Sequence, residues 1–93
     1  MIKSFACKKT RALHDTSTVH RNFRAFARQA KQKLMMLNAA TAYVDLTSPP
    51  GNRLEKLGGD RAGQSSIRIN DQWRVCFVWR EGNAHDVEIC DYH

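Results

Sequence analysis

The sequence predicts an α+β fold: a small antiparallel β-sheet backed by N-terminal helices. Two observations carry this. Apolar residues recur with a period of about 3.6 across the first half and with a period of 2 across the second. The only strong breaker cluster, Ser48-Pro49-Pro50-Gly51-Asn52, falls between the two regimes. Helices first and strands second describe an antiparallel meander with the helices on one face. With 93 residues, the chain has room for one core, and residues 1–93 are expected to form a single domain.

The elements follow in order. Ile2 to Ala6 suits a short opening strand, and Lys8 to His14 one or two helical turns with Ala12 and Leu13 inward. Asp15-Thr16-Ser17-Thr18 offers side-chain oxygens to cap the next helix. From Val19 to Ala40, Phe23, Phe26, Ala27, Ala30, Leu34 and Leu37 form one apolar stripe, with Arg21, Arg24, Arg28 and Lys31 on an adjoining face. Ala42 to Leu46 can form a short second helix before Pro49 and Pro50 forbid continuation. Leu54 to Leu57 is a short strand and Gly58-Gly59-Asp60 a turn. Ser65 to Asn70 alternates with Ile67 and Ile69 inward and Ser66, Arg68 and Asn70 outward. Trp73 to Trp79 places Trp73, Val75, Phe77 and Trp79 on the core face, and Glu81-Gly82-Asn83 turns the chain into Ala84 to Asp91. Putting Val87 and Ile89 beside Val75 and Phe77 pairs odd residues with odd, which sets Arg74 on the face of Glu88, Cys90 and Tyr92 unless a bulge intervenes.

Composition narrows the function. Hydrophobic residues make up 42% and charged residues 26%, an ordinary globular balance. No apolar run approaches the ~20 residues of a membrane span, and the basic start lacks a signal-peptide core, so a cytoplasmic protein without a membrane partner is expected. Cys7, Cys76 and Cys90 show no CxxC spacing and read as reduced thiols, and the four histidines form no metal-binding pattern, so neither metal nor cofactor is expected. The net charge of +6 is unevenly placed. Residues 1–53 hold ten Lys/Arg against Asp15 and Asp45, net +8, while residues 54–93 hold five against seven acids, net −2. A basic half without acids on its main helix suits an anionic partner, although a solvated helix face has the same pattern.

Two groups could carry chemistry. Asp91-Tyr92-His93 places a carboxylate, a phenol and an imidazole together at the C-terminus, residue types that move protons near neutral pH. Arg53, Lys56, Arg61, Arg68 and Arg74 are guanidinium and ammonium groups able to hold phosphates; pairing with Glu55, Asp60, Asp71 and Glu88 is the competing reading.

The series Ser48-Pro49-Pro50-Gly51-Asn52-Arg53-Leu54-Glu55-Lys56-Leu57, Gly59-Asp60-Arg61-Ala62-Gly63-Gln64, Ser66-Ile67-Arg68-Ile69-Asn70, Asp71-Gln72-Trp73-Arg74-Val75 and Val87-Glu88-Ile89-Cys90-Asp91-Tyr92-His93 resembles the HigB-type toxins of bacterial toxin–antitoxin systems, in their GraT-like branch. The resemblance also takes in Met1 to Phe5 and so covers nearly the whole chain. It implies a RelE-like fold and a ribosome-dependent endoribonuclease (mRNA interferase) that cuts translated mRNA in the 30S decoding site. It further implies a HigA-type helix-turn-helix antitoxin as partner. In such enzymes the RNA 2′-hydroxyl attacks the adjacent phosphate without a metal ion, leaving a 2′,3′-cyclic phosphate and a free 5′-hydroxyl. By resemblance, Arg74 stabilises the phosphate, His93 acts as general acid or base, Tyr92 stacks or relays a proton, Asp91 orients its neighbours and Arg61 contacts RNA. Some members carry a catalytic His where this chain has Glu55 and a Lys where it has Gly58, so the resemblance leaves proton transfer to either Glu55 or His93. Two other functions remain open: a ParE-like toxin acting on a protein target, and a non-catalytic RNA-binding protein.

Overall fold

The computed structural model describes residues 1–91. Two α-helices, α1 (Lys8–Thr16) and α2 (Ala27–Ala39), precede four strands: β1 (Glu55–Lys56), β2 (Ser65–Arg68), β3 (Trp73–Arg80) and β4 (Asn83–Asp91). The strands form one antiparallel sheet in the order β1-β2-β3-β4. Residues 1–6 run parallel to β4 along its outer edge, joined by Lys3 N–H to Ala84 O at 2.8 Å and Val87 N–H to Ser4 O at 3.0 Å. The expected opening strand therefore exists as two isolated bridges. It caps a sheet edge that would otherwise expose unpaired backbone groups.

The helical half departs from a single Val19–Ala40 helix. Arg21–Phe26 forms a 3₁₀ helix, and Phe26, at φ −138° and ψ 20°, separates it from α2. Three residues per turn stack Phe23 directly over Phe26, so both reach the core despite the break. Ala30, Leu34 and Leu37 continue the stripe on α2, each fully buried. The expected capping role of Asp15 to Thr18 is not found. The chain stays helical through Thr16, Ser17 ends α1 in the left-handed region (φ 56°), and Thr18 N–H closes on Ala12 O. It is His20 that caps the following turn, its Nδ1 accepting from Asn22 N–H at 3.1 Å.

Tyr43–Thr47 forms the expected short helix, as a 3₁₀ turn. Its start is held by Asp45, whose Oδ2 accepts from the N–H groups of Thr41 and Ala42, each at 3.0 Å. Those two backbone donors, Ala42 first, hold the Asp45 carboxyl below its ordinary value of 3.8. A depressed pKa stabilises the fold above the unfolded-state value and is lost as pH falls through the folded one. Asp45→Asn is therefore expected to lower the melting temperature at neutral pH, with the gap to wild type closing over roughly the two units below pH 5. A gap that stays constant in thermal scans across that range would show that the charge of Asp45 is irrelevant.

Ile67, Val75, Phe77, Val87 and Ile89 face the helices and form one core with Leu13, Phe23, Phe26, Leu34, Leu37 and Leu46. Trp73 stacks on Phe26 (centroids 5.0 Å apart), and Trp79 meets Phe77 edge-on. Glu81 and Gly82, both at positive φ, make a tight two-residue turn between β3 and β4. The odd-with-odd register holds from Trp73↔Asp91 to Cys76↔Glu88. An irregularity between Cys76 and Val78, with Asp86 at φ 52°, then shifts the pairing by one to Val78↔His85. Among the described residues, no helix is long and apolar enough to cross a membrane.

One expectation about the sheet is corrected. Ser66, assigned outward, is fully buried, as is Cys76, while Arg74 and Cys90 are nearly so. The second face is covered because the chain after the Pro-Pro-Gly loop turns back over it. Arg53 lies against Arg74, and Arg61 reaches across to Glu88 on β4.

Candidate functional site

Arg74 anchors the covered face. Its Nε donates to Ser66 Oγ at 2.7 Å, and one terminal nitrogen donates to Arg53 O at 2.5 Å and to Ser66 O at 3.4 Å. The same nitrogen lies 4.0 Å from Glu55 Oε2. Arg74 is 6% exposed, whereas the Glu55 side chain is 49% exposed. A cation held from inside the sheet thus faces a carboxylate that opens to solvent.

The loop that delivers Glu55 is itself anchored. Asn52, fully buried, donates through Nδ2 to Leu46 O at 3.1 Å and Ser48 O at 3.2 Å, and its Oδ1 accepts from Lys33 Nζ on α2. Burial first, and the charge of Arg68 second, lower the Lys33 pKa. Arg53 follows in the left-handed region (φ 44°), an unusual conformation for a residue with a side chain, and this directs its carbonyl to Arg74. Ser66, Asn52 and Lys33 were not singled out from sequence. Asn52 lies in the Ser48–Asn52 breaker cluster, but nothing local marks a polar residue that will be buried.

The expected site residues divide among several places. Glu55 and Arg74 come together. Asp91 pairs across from Trp73, one residue from Arg74 in register and so on the other side of the strand; its Oδ2 accepts from Gln72 Nε2 at 2.9 Å. Tyr92 and His93 lie outside the described residues. Arg61 donates to Glu88 at 2.8 Å and Gln64 at 3.0 Å, which raises its pKa, the Glu88 bond contributing most. Arg68 pairs with Asp71. Acid pairing, the competing reading of these cations, is therefore what the geometry shows for Arg61 and Arg68. Arg53 and Lys56 are exposed, Lys56 Nζ standing 6.0 Å from the Tyr43 ring centre.

Of the basic helical group, Arg21, Arg24 and Arg28 are exposed and Lys31 is half-buried. They do not share one helix face, because the break at Phe26 puts Arg21 and Arg24 on the 3₁₀ turn and Arg28 and Lys31 on α2. Lys9 on α1 joins them: desolvation, then the fields of Lys9, Arg21 and Arg24, hold His20 below its ordinary 6.5. Cys76 and Cys90 are free thiols, both buried on the strands, and their mutual hydrogen bond lowers the pKa of Cys76 and raises that of Cys90.

A four-stranded antiparallel sheet with helices on one face defines a small α+β protein, and the same fold is seen in a mutant of YafQ from E. coli. That crystal structure aligns over 99% of this chain and 94% of its own, with a TM-score of 0.60 and 10% identity, a likeness of fold alone. The family model of the HigB-like toxin, the RelE-like toxin of type II toxin–antitoxin system HigB, matches residues 3–93, and the chain belongs to that family. The RelE-like fold expected from the resemblance is thus borne out. Two relatives are similar. "Toxin HigB-1" of Vibrio cholerae serotype O1 is 51% identical over 53 residues, spanning 57% of this chain and 56% of that toxin. "Endoribonuclease HigB" of Proteus vulgaris is 29% identical over 93 residues, the full length of both.

Proposed function

We propose that this chain, as a single toxin domain over residues 1–93, is a cytoplasmic endoribonuclease that cuts translated mRNA on the ribosome and is held inactive by a HigA-type antitoxin. The observation that carries the reading is the Glu55 carboxylate 4.0 Å from the buried Arg74 guanidinium. The likeness over the full length of both chains to the endoribonuclease HigB of Proteus vulgaris supports it.

In this reading the RNA 2′-oxygen attacks the neighbouring phosphorus as Glu55 takes its proton. The P–O5′ bond breaks, and the leaving 5′-oxygen takes a proton from a general acid, for which His93 is the nominee. Arg74 opposes the charge that builds on the phosphate oxygens. A cation held in the protein interior does so more strongly than one in water and needs no reorganisation. The products are a 2′,3′-cyclic phosphate and a free 5′-hydroxyl. Arg53 and Lys56, both exposed and close to Glu55 in sequence, contact the RNA backbone in this reading. Arg61 and Arg68 are further contacts that would first have to leave Glu88 and Asp71.

Primer extension on cellular mRNA after induction tests the reading. Cuts inside translated codons, lost when translation initiation is blocked, are expected. Intact mRNA alongside growth arrest would point instead to a protein target.

The basic helical half docks on ribosomal RNA in this scheme. Reversing Arg21, Arg24, Arg28 and Lys31 to Glu is expected to weaken ribosome association by at least about a hundredfold and to flatten its dependence on salt, since each phosphate contact releases a counterion. Sedimentation with ribosomes across a salt series reads both, and an unchanged slope would remove these residues from the interface.

A further inference from the structure

The other side of the same sheet edge holds a cavity of about 440 Å³ lined by Tyr43, Lys56, Gly63, Gln64, Ser65 and Trp79. Its size falls within the range of small-ligand sites. Two aromatic rings form a wall, Tyr43 meeting Trp79 at 6.3 Å and 63°. The Tyr43 hydroxyl is fixed by a 2.8 Å hydrogen bond with Ser65 Oγ, and the Lys56 ammonium stands 6.0 Å from the Tyr43 ring centre. Arg61 donates to Gln64 Oε1, so the amide's Nε2 end is set as a donor. At Gly63, φ is 92° and a Cβ would meet nothing within 4 Å, so the mouth there is open.

Stacking surface, hydrogen-bond donor and cation are the three things an unpaired nucleotide needs, for base face, base edge and phosphate respectively. The cavity is also carried by the same two strands as the Glu55–Arg74 pair. Lys56 follows Glu55 on β1, and Ser65 precedes Ser66, the residue that holds Arg74, on β2. The two places are one residue apart in register, about 3.4 Å along the strands, and lie on opposite faces of one sheet edge. We propose that this cavity is a base-reading subsite that takes the nucleotide next to the cut as the RNA strand passes round the β1 edge. The proposal rests on the endoribonuclease reading above and adds to it where the RNA base is read.

The test uses isolated protein and no cleavage. Titrating the ¹⁵N-labelled chain with the four 5′-nucleoside monophosphates should move the backbone amides of Gly63 and Ser65 and the side-chain amide of Gln64. Ribose 5-phosphate, the same molecule without its base, should move them at least about tenfold less at equal concentration. Gln64→Glu keeps an acceptor for Arg61 but removes the donor, and should weaken nucleotide binding about tenfold; Lys56→Ala should weaken it several-fold. Equal responses to ribose 5-phosphate would reduce the site to an anion contact and overturn the proposal, as would silence at all three resonances or unchanged binding in Gln64→Glu. If nucleotides bind here but no mRNA is cut in cells, the endoribonuclease reading fails and takes the base-reading role with it, leaving a nucleotide site. If mRNA is cut but these resonances stay still, the endoribonuclease reading stands and the subsite fails.

Discussion

Arg74→Ala is expected to abolish detectable mRNA cleavage and to destabilise the fold by about 3 kcal/mol, because one side chain serves both purposes. Truncation leaves Arg53 O and the Ser66 hydroxyl and carbonyl facing a space that no longer offers a donor. Unsatisfied buried groups cost about 1–3 kcal/mol each when water cannot replace the partner. For a chain of this length the loss lowers the melting temperature by on the order of 15 °C. The Glu55 contact adds little to stability, since that carboxylate is half in solvent.

Loss of activity in Arg74→Ala alone would therefore not separate chemistry from folding. Arg74→Lys does. It keeps the charge and one hydrogen bond but gives up the forked geometry, so a stability loss of about 1–2 kcal/mol is expected with a fall in cleavage rate of about a hundredfold. Circular dichroism melts and single-turnover cleavage on purified ribosome complexes read the two effects separately. If folded Arg74→Lys cuts at the wild-type rate, the guanidinium does not meet the transition-state charge, and Arg74 serves only to pin the Arg53 carbonyl.

The same arginine shows what could and could not be read from sequence. Its strand, its neighbours and its sheet face follow from two-residue alternation, and the register that pairs it with Cys90 holds as expected. Its burial does not follow. Serine and arginine alternating with isoleucine and valine have the pattern of a sheet with one wet face, and that pattern does not change when a distant loop folds over the wet side. The cover here comes from Arg53 and Arg61, more than a dozen residues from Arg74 in sequence. The part-buried Lys33–Asn52 contact likewise joins residues 19 apart, with no local signature. The break at Phe26 was hidden for another reason. Phe23 and Phe26 are three apart, a spacing shared by α and 3₁₀ helices, so the apolar stripe was right while the helix type was not. The Asp86 bulge is silent for the same kind of reason: aspartate tolerates positive φ, but most aspartates do not adopt it.

Glu55→Gln isolates proton transfer. The substitution keeps shape and volume at a half-exposed position, so stability should stay within about 0.5 kcal/mol of wild type. Removing a general base from a reaction that needs one costs about 10²- to 10⁴-fold, and the loss should appear in the single-turnover rate rather than in affinity for the ribosome complex. The pH profile separates Glu55 from His93. If Glu55 is the base, Glu55→Gln loses the limb of the wild-type pH–rate profile that depends on the base. If His93 is the acid, His93→Ala removes the limb on the alkaline side, where the imidazolium loses its proton. Because both groups act on one proton-transfer cycle, the double variant should be little slower than the worse single one. A Glu55→Gln protein that keeps the wild-type rate and both limbs would transfer the base role to the C-terminal Asp91-Tyr92-His93 group, leaving Glu55 as the solvent-side counter-charge of Arg74.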